Sequence, residues 1–174
     1  MGRLLKFISD EDEARLLASA RHRRCADGDI IVREGASSDA LFVLRAGEAR
    51  VERNHESFSI EVSRLHAGEL FGEMGFVEAV EASASVVADG VCDVDVIEAA
   101  HVHAMIAADP MFAASFYRSI ADLLSRRLRA TNVEALSEFS WGTGGFTRVE
   151  EPYPQDEPSE HWGGGSPLRD AEDA

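Results

Sequence analysis

The stretch from Ile30 to Ile97 most constrains what this chain can become. Glycine-bearing breaks recur through and around it, at Asp27-Gly28, Gly35 to Asp39, Ala46-Gly47, Ala67-Gly68 and Asp89-Gly90, with a further turn at Arg53-Asn-His-Glu56. Between the breaks lie short runs rich in β-branched and aromatic residues. Phe58-Ser-Ile60-Glu-Val62-Ser alternates apolar with polar residues, as does Cys92-Asp-Val94-Asp-Val96. Successive side chains of a strand point to opposite faces, so this alternation marks strands with one buried face. Short strands closed by turns at roughly ten-residue intervals predict an antiparallel barrel or sandwich.

Helical signals flank this region. Ser9 followed by Asp12 forms a capping pair, and the acids from Asp10 to Glu13 sit in the first turn, where the helix dipole favours them. Leu16 and Leu17 supply an apolar face. After the strands, residues 98–108 read as one helix. Asp109-Pro110 stops it and starts another, with aspartate as N-cap and proline at the first helical position. Phe112, Phe116, Ile120, Leu124 and Leu128 then recur every four residues, with Tyr117 and Leu123 alongside. That stripe predicts an amphipathic helix of about five turns. Arg126, Arg127 and Arg129 close it and are expected to be a solvated face that offsets the C-terminal dipole, with contact to a ligand or partner as the alternative.

Composition changes near residue 137. Residues 137–174 hold four of the five prolines, six of the fourteen glycines and nine acids against two arginines. Stretches such as EEPYPQDEP and WGGGSP bury too little surface to offset the entropy of ordering. The expected organisation is therefore a folded domain over 1–136 and an acidic, disordered tail over 137–174. Phe139, Trp141 and Phe146 leave a short docking motif as the alternative reading of that tail.

Charge and cysteine usage narrow the class further. The chain carries 17 basic and 32 acidic side chains, a net charge of -15. Such a surface repels nucleic-acid phosphates and anionic membranes, so neither DNA nor membrane partners are expected. No apolar run approaches the ~20 residues of a bilayer span. The N-terminal residues lack the apolar stretch of a signal peptide, and Gly2 lacks the hydroxyl residue of a myristoylation pattern. Cys25 and Cys92 form no CxxC and read as reduced core thiols of a cytoplasmic protein.

The most informative segment is Gly68-Glu-Leu-Phe71-Gly72-Glu73-Met74-Gly75-Phe76-Val77, followed by Ala82-Ser83-Ala84-Ser85-Val86-Val87. Gly72 permits a backbone shape that a side chain would obstruct. Backbone N–H groups in a short turn can face one anion together, and Glu73 can accept hydrogen bonds from a sugar hydroxyl. On these residues alone, a phosphate cradle and a plain turn between strands are comparable readings.

The order of parts resembles the cyclic nucleotide-binding domain family, as found in catabolite activator proteins. Gly28-Asp-Ile-Ile-Val-Arg-Glu-Gly35 looks like the family's early strand and glycine turn, and Asp39-Ala-Leu-Phe-Val-Leu-Arg-Ala-Gly47 like its second strand and turn. Phe71-Gly72-Glu73-Met74 matches the opening of its phosphate-binding cassette. The resemblance implies an α+β fold, an antiparallel β-roll of about eight strands with flanking helices that move when ligand binds. It places the ribose-binding acid on Glu73, backbone contacts on Gly72 and Met74, and phosphate-binding amides on Ser83 and Ala84. The implied ligand is cAMP or cGMP.

One departure from the family pattern matters. The cassette arginine that pairs with the cyclic phosphate is replaced by Ala82, and no arginine occurs between Glu69 and Ile97. Glu78 and Glu81 add negative charge instead. A hydrogen bond to a charged group is worth ~1.5–3 kcal/mol net, so its loss predicts binding weaker by roughly ten- to more than a hundredfold, or a different small ligand. Arg53 and Arg64 are the candidates to supply a cation from another strand.

Other chemistry is poorly represented. No nucleophile motif, paired carboxylates or metal-ligand pattern appears, so neither catalysis nor a metal cofactor is expected. His101 and His103 lie two apart, which on a helix puts them on different faces. Ser83 and Ser85 read as small strand residues or as hydroxyl donors to a polar ligand. The expected function is a stand-alone bacterial regulatory or sensor module whose output passes through a protein partner or through dimerisation along the helix from Pro110 to Arg129. The alternative is a ligand-free interaction scaffold that docks by its last helix or its tail.

Overall fold

The structure is a computed structural model that describes residues 4–55 and 58–139, with side chains described through Thr131. In chain order the elements are α1 (Asp10–Ala18), β1 (Arg21–Cys25), β2 (Ile30–Val32), β3 (Ala40–His55), β4 (Phe58–His66), β5 (Leu70–Phe71), α2 (Glu73–Glu78), β6 (Ser85–Glu98), α3 (Ala99–Ala108) and α4 (Pro110–Phe139). The six strands form one antiparallel sheet in the order β1-β6-β3-β4, with β2 added to β6 and β5 to β3. This is the expected α+β class, an antiparallel β-roll with flanking helices.

The strand count is six rather than about eight because the two long strands bend without breaking. β3 has 16 residues and β6 has 14. Their pairing shifts register between Leu44 and Ala46 and again between Ala46 and Glu48. Gly47 makes the bend possible. Its φ is +83°, and a Cβ there would lie 2.6 Å from the Val91 carbonyl oxygen and 2.7 Å from Cys92 Cβ. Only glycine tolerates both the left-handed backbone and that approach. A further strand, β1, lies before the region expected to hold strands. Its sequence Arg-His-Arg-Arg-Cys buries only Cys25, so no alternation of hydrophobicity announces it.

The apolar run Ala-Leu-Phe-Val-Leu of β3 explains how the molecule is layered. Leu41 and Val43 point into a cluster with Leu5, Ile8 and Leu16 from the N-terminal segment, Val102 and Met105 from α3, and Phe112, Phe116 and Ile120 from α4. Phe42 and Leu44 point the other way, into a cluster within the roll that includes Cys25, Ile31, Phe71, Val86, Ala88 and Val94. A strand buried on both faces reads as a continuous apolar run rather than an alternating one.

The helix starts follow their expected caps. Ser9 is the N-cap of α1, and its hydroxyl accepts from the Asp12 amide at 3.0 Å. Asp109 Oδ1 accepts from the Met111 and Phe112 amides at 2.8 and 3.2 Å. In α4, Phe112, Phe116 and Ile120 are buried, while Leu128 is 63% exposed. The helix continues past Arg129 to Phe139. The chain divides into a unit of Met1–Asn132 and a unit of Val133–Ala174. The expected acidic tail lies outside the described residues from position 140 onward.

Strand β4 departs from its expected half-burial. Phe58, Ile60 and Val62 are 56%, 43% and 41% exposed. Their alternation does place them in a strand, but β4 lies at the sheet's edge and only Leu65 of its residues is buried.

Cys25 and Cys92 are directly opposed across β1 and β6 and are buried free thiols. Burial, and then the neighbouring Cys25, push the Cys92 thiol up from 9.0 to about 11. The unfolded chain therefore loses this proton first as pH rises, and stability falls between the two values. Urea unfolding midpoints followed from pH 8.5 to 11 should decline over that window, and Cys92→Ala should remove this component of the slope.

Candidate functional site

The segment from β5 through α2 to the start of β6 gathers all seven residues singled out from the sequence. Phe71 closes β5 and stacks on Phe42 with ring centroids 5.1 Å apart and planes at 15°. Gly72 follows as N-cap of α2 with φ +83°. A Cβ on it would lie 3.0 Å from Phe42 Cδ2 and 3.1 Å from the Ala40 carbonyl oxygen, so glycine is required sterically as well as conformationally. The turn delivers Glu73 to an interior position where it is 3% exposed.

A buried carboxylate needs a partner, and α4 supplies it. Arg127 Nη1 donates to Glu73 Oε1 at 2.5 Å, and Arg127 Nη2 donates to the Leu70 carbonyl oxygen at 2.7 Å. One guanidinium thus clamps both the acid and the strand that precedes it. The expectation that Arg126, Arg127 and Arg129 form a solvated face is corrected for Arg127. Arg126 instead pairs with Asp122 one turn back, at 3.0 Å. The signal was present in the helical spacing. Arg127 lies seven residues after Ile120 and four after Leu123, on the stripe that faces inward.

The cassette helix is also wired to α3 and α4 through Phe76. Its ring stacks on His103 at 4.6 Å and meets Phe116 edge-on at 5.7 Å. Ala79, with φ +53°, ends α2 in a left-handed turn. Met74 is exposed at 43%, and the Ser83 hydroxyl reaches its sulfur at 3.9 Å. Glu78 and Glu81 are exposed.

The position expected to hold the phosphate-pairing arginine is apolar and pinned. The Gly35 amide donates to the Ala82 carbonyl at 2.8 Å, and the Ala82 amide donates to the Ala36 carbonyl at 2.9 Å. The Ala82 methyl packs against the cluster inside the roll. The next two amides, of Ser83 and Ala84, carry no hydrogen bond among the described residues. Of the two candidate replacement cations, Arg64 is committed elsewhere. It bonds Glu61 at 2.7 Å and Asp89 at 2.6 Å, beside Arg50, which bonds Glu52 and the same Asp89. Arg53 has no ion pair among the described residues.

Other chemistry does not converge. Among the described residues no group of three or more His, Cys, Asp and Glu side chains is placed to hold a metal ion. His101 Nε2 lies 3.1 Å from the Arg15 carbonyl oxygen, whereas His103 stacks on Phe76. A cavity of about 760 Å³ opens between α1 and β3, beside Leu4, Glu13, Leu17, Val43 and Arg45, but none of the seven residues lines it. No described helix is long and apolar enough to cross a membrane.

Comparison with known proteins follows the same lines. A family model for the cyclic nucleotide-binding domain matches residues 22–109, and the chain belongs to that family. It is 30% identical over 132 residues to the cyclic AMP receptor protein of Thermus thermophilus, spanning 75% of this chain and 59% of that one. It is 25% identical over 87 residues to the type II regulatory subunit of the cAMP-dependent protein kinase of Drosophila melanogaster, spanning 50% of this chain and 23% of that one. The chain therefore spans less than two thirds of these curated relatives. Among solved structures, a cyclic nucleotide-binding domain from Methylobacillus flagellatus superposes with a TM-score of 0.71 at 22% identity, covering 82% of this chain and 80% of that one, and shares its fold.

The Glu73–Arg127 pair should behave as a coupled unit. Arg127→Met leaves a buried carboxylate without its cation and should cost ~1.5–3 kcal/mol. Glu73→Gln combined with Arg127→Met should cost less than the sum of the single variants, measured by urea unfolding in a double-mutant cycle.

Proposed function

We propose that this protein is a regulatory module that binds a cyclic nucleotide, cAMP or cGMP, at the Phe71–Ala84 segment and transmits occupancy through α4. The observation that carries this reading is the placement of Glu73. A carboxylate is delivered by a left-handed glycine into a nearly closed position, and its partner comes from the helix that would have to respond. In this reading a sugar hydroxyl of the ligand donates to Glu73, with Gly72 and Met74 contributing backbone and Phe71 flooring the turn. The unengaged amides of Ser83 and Ala84 receive the phosphate.

A ligand shifts an equilibrium only by its differential affinity for the two states. Sharing the Glu73 carboxylate between a sugar hydroxyl and Arg127 supplies that difference. It weakens the tie that holds α4 against β5 and the cassette helix. The signal then passes to a protein partner or to a second copy of this chain. Family relatives whose names refer to cyclic AMP support this reading. Activity is regulatory rather than catalytic, and we place the protein in the cytoplasm.

Isothermal titration calorimetry with cAMP and with cGMP tests the ligand. Without a cassette arginine, a dissociation constant between high micromolar and millimolar is expected, weaker than a charge-paired site by roughly ten- to a hundredfold. Ala82→Arg should tighten it. Absence of heat with either nucleotide at millimolar concentration, in both the natural chain and the variant, would end this reading. The competing reading is a ligand-free interaction scaffold. It is favoured by the Ala82 methyl, which packs into the roll where the family pattern has a cation.

Dimerisation belongs to the same proposal. Tyr117, Leu124 and Leu128 are spaced by seven and four residues along α4, and Tyr117 and Leu128 are 45% and 63% exposed. That spacing suits a helix seam between two copies. Light scattering should give a dimer mass at high micromolar concentration, and a monomer mass there would refute it.

A further inference from the structure

The far half of the β3–β4 ribbon carries a cation on the face that continues the roll's interior. Residues of one parity along β3 form its outer face. Arg50 bonds Glu52 at 3.0 Å, and Asn54 Oδ1 accepts from the Ser59 hydroxyl at 3.2 Å. The opposite parity forms the inner face. Ala49 and Val51 belong to the cluster inside the roll, and Arg53 and His55 follow at the same parity along β3, past a register shift in which β4 takes up one extra residue between Ser63 and Glu61. Across the ribbon, Arg53 pairs in register with Ile60 and His55 with Phe58, and the His55 and Phe58 rings lie 5.3 Å apart.

This inner row meets the end of the cassette. β3 pairs with β6 through Val51 opposite Val86 and Glu52 opposite Ser85. Continued by one step, that register sets Arg53 opposite Ala84. The side chains of Val51, Val86 and Ala82 all pack on the same interior cluster, so Arg53 springs from the face they share. Glu34 ties the two segments together. Its carboxylate accepts from the Asn54 amide at 2.7 Å, and its amide donates to the Ser85 hydroxyl at 3.0 Å. Among the described residues Arg53 has no ion pair, whereas Arg50 and Arg64 on the outer face are held by Glu52, Glu61 and Asp89.

We propose that Arg53 supplies, from β3, the guanidinium that the cassette lacks at Ala82, and that Ile60 and Phe58 beside it form an apolar shelf for the ligand's base. This inference rests on the cyclic-nucleotide reading above and names the residue that makes it work electrostatically. Glu78 at the end of α2 and Glu81 on the loop that follows stand exposed before Ala82 and repel an arriving phosphodiester. A guanidinium offsets them and presents two N–H groups in a fork that matches two phosphate oxygens. The edge position of β4 leaves Ile60 and Phe58 exposed, which keeps their apolar surface open to a planar base.

The test is calorimetric titration of the full chain with cAMP and, separately, with adenosine, which has the base and sugar but no phosphate. Arg53→Ala should weaken cAMP binding by about tenfold or more while changing adenosine binding less than about twofold. Arg53→Lys should recover part of the loss, and Arg64→Ala on the outer face should leave cAMP binding unchanged. Equal cAMP affinity in the natural chain and in Arg53→Ala overturns the assignment and leaves the nucleotide reading standing. A parallel loss of adenosine binding also overturns it, since the residue would then act on the fold. No cAMP binding by the natural chain at millimolar concentration removes both.

Discussion

The arrangement of this domain turns on one buried carboxylate. Glu73 is almost wholly withdrawn from water, and a charge in that position persists only with a cation and good hydrogen-bond geometry around it. Arg127 provides both, and in doing so it ties its own turn of α4 to β5 and to the start of the cassette helix. Phe76 reinforces the placement through His103 and Phe116, so polar and apolar contacts hold the same three elements together. A carboxylate held this way is costly unless something is gained by it. In the function proposed above, the gain is a partner that a competing hydrogen-bond donor can challenge.

Much of this was legible in the sequence, for identifiable reasons. The caps at Ser9 and Asp109 use short polar side chains suited to satisfying helix N–H groups, and both bonds form. Gly72 and Glu73 were legible through the match of Phe71 to Met74 with the opening of the family's phosphate-binding cassette, and the backbone at Gly72 is left-handed. The stripe from Phe112 to Ile120 is buried as its spacing required.

The rest was hidden for physical reasons too. β1 is an edge strand whose four leading residues all face solvent, so nothing in Arg-His-Arg-Arg reports its pairing with β6. β4 shows the converse. Phe58, Ile60 and Val62 alternate as buried residues do, yet the sheet ends there and leaves them open. Alternation reports the direction of a side chain and is silent on whether a layer exists to receive it. Three arginines near a helix end suggest a dipole effect, and the inward spacing of Arg127 does not name its partner, because Glu73 lies 54 residues away along the chain.

The double use of β3 has a consequence for how the molecule melts. Adjacent residues of one strand serve two separate hydrophobic clusters, Leu41 and Val43 on one side and Phe42 and Leu44 on the other. Displacing this strand would expose apolar surface of both clusters at once, so its loss is costly to the roll and to the helical layer together. The helices can still part from the strand's outer face without unmaking the roll, since the second cluster lies wholly on the other side of it.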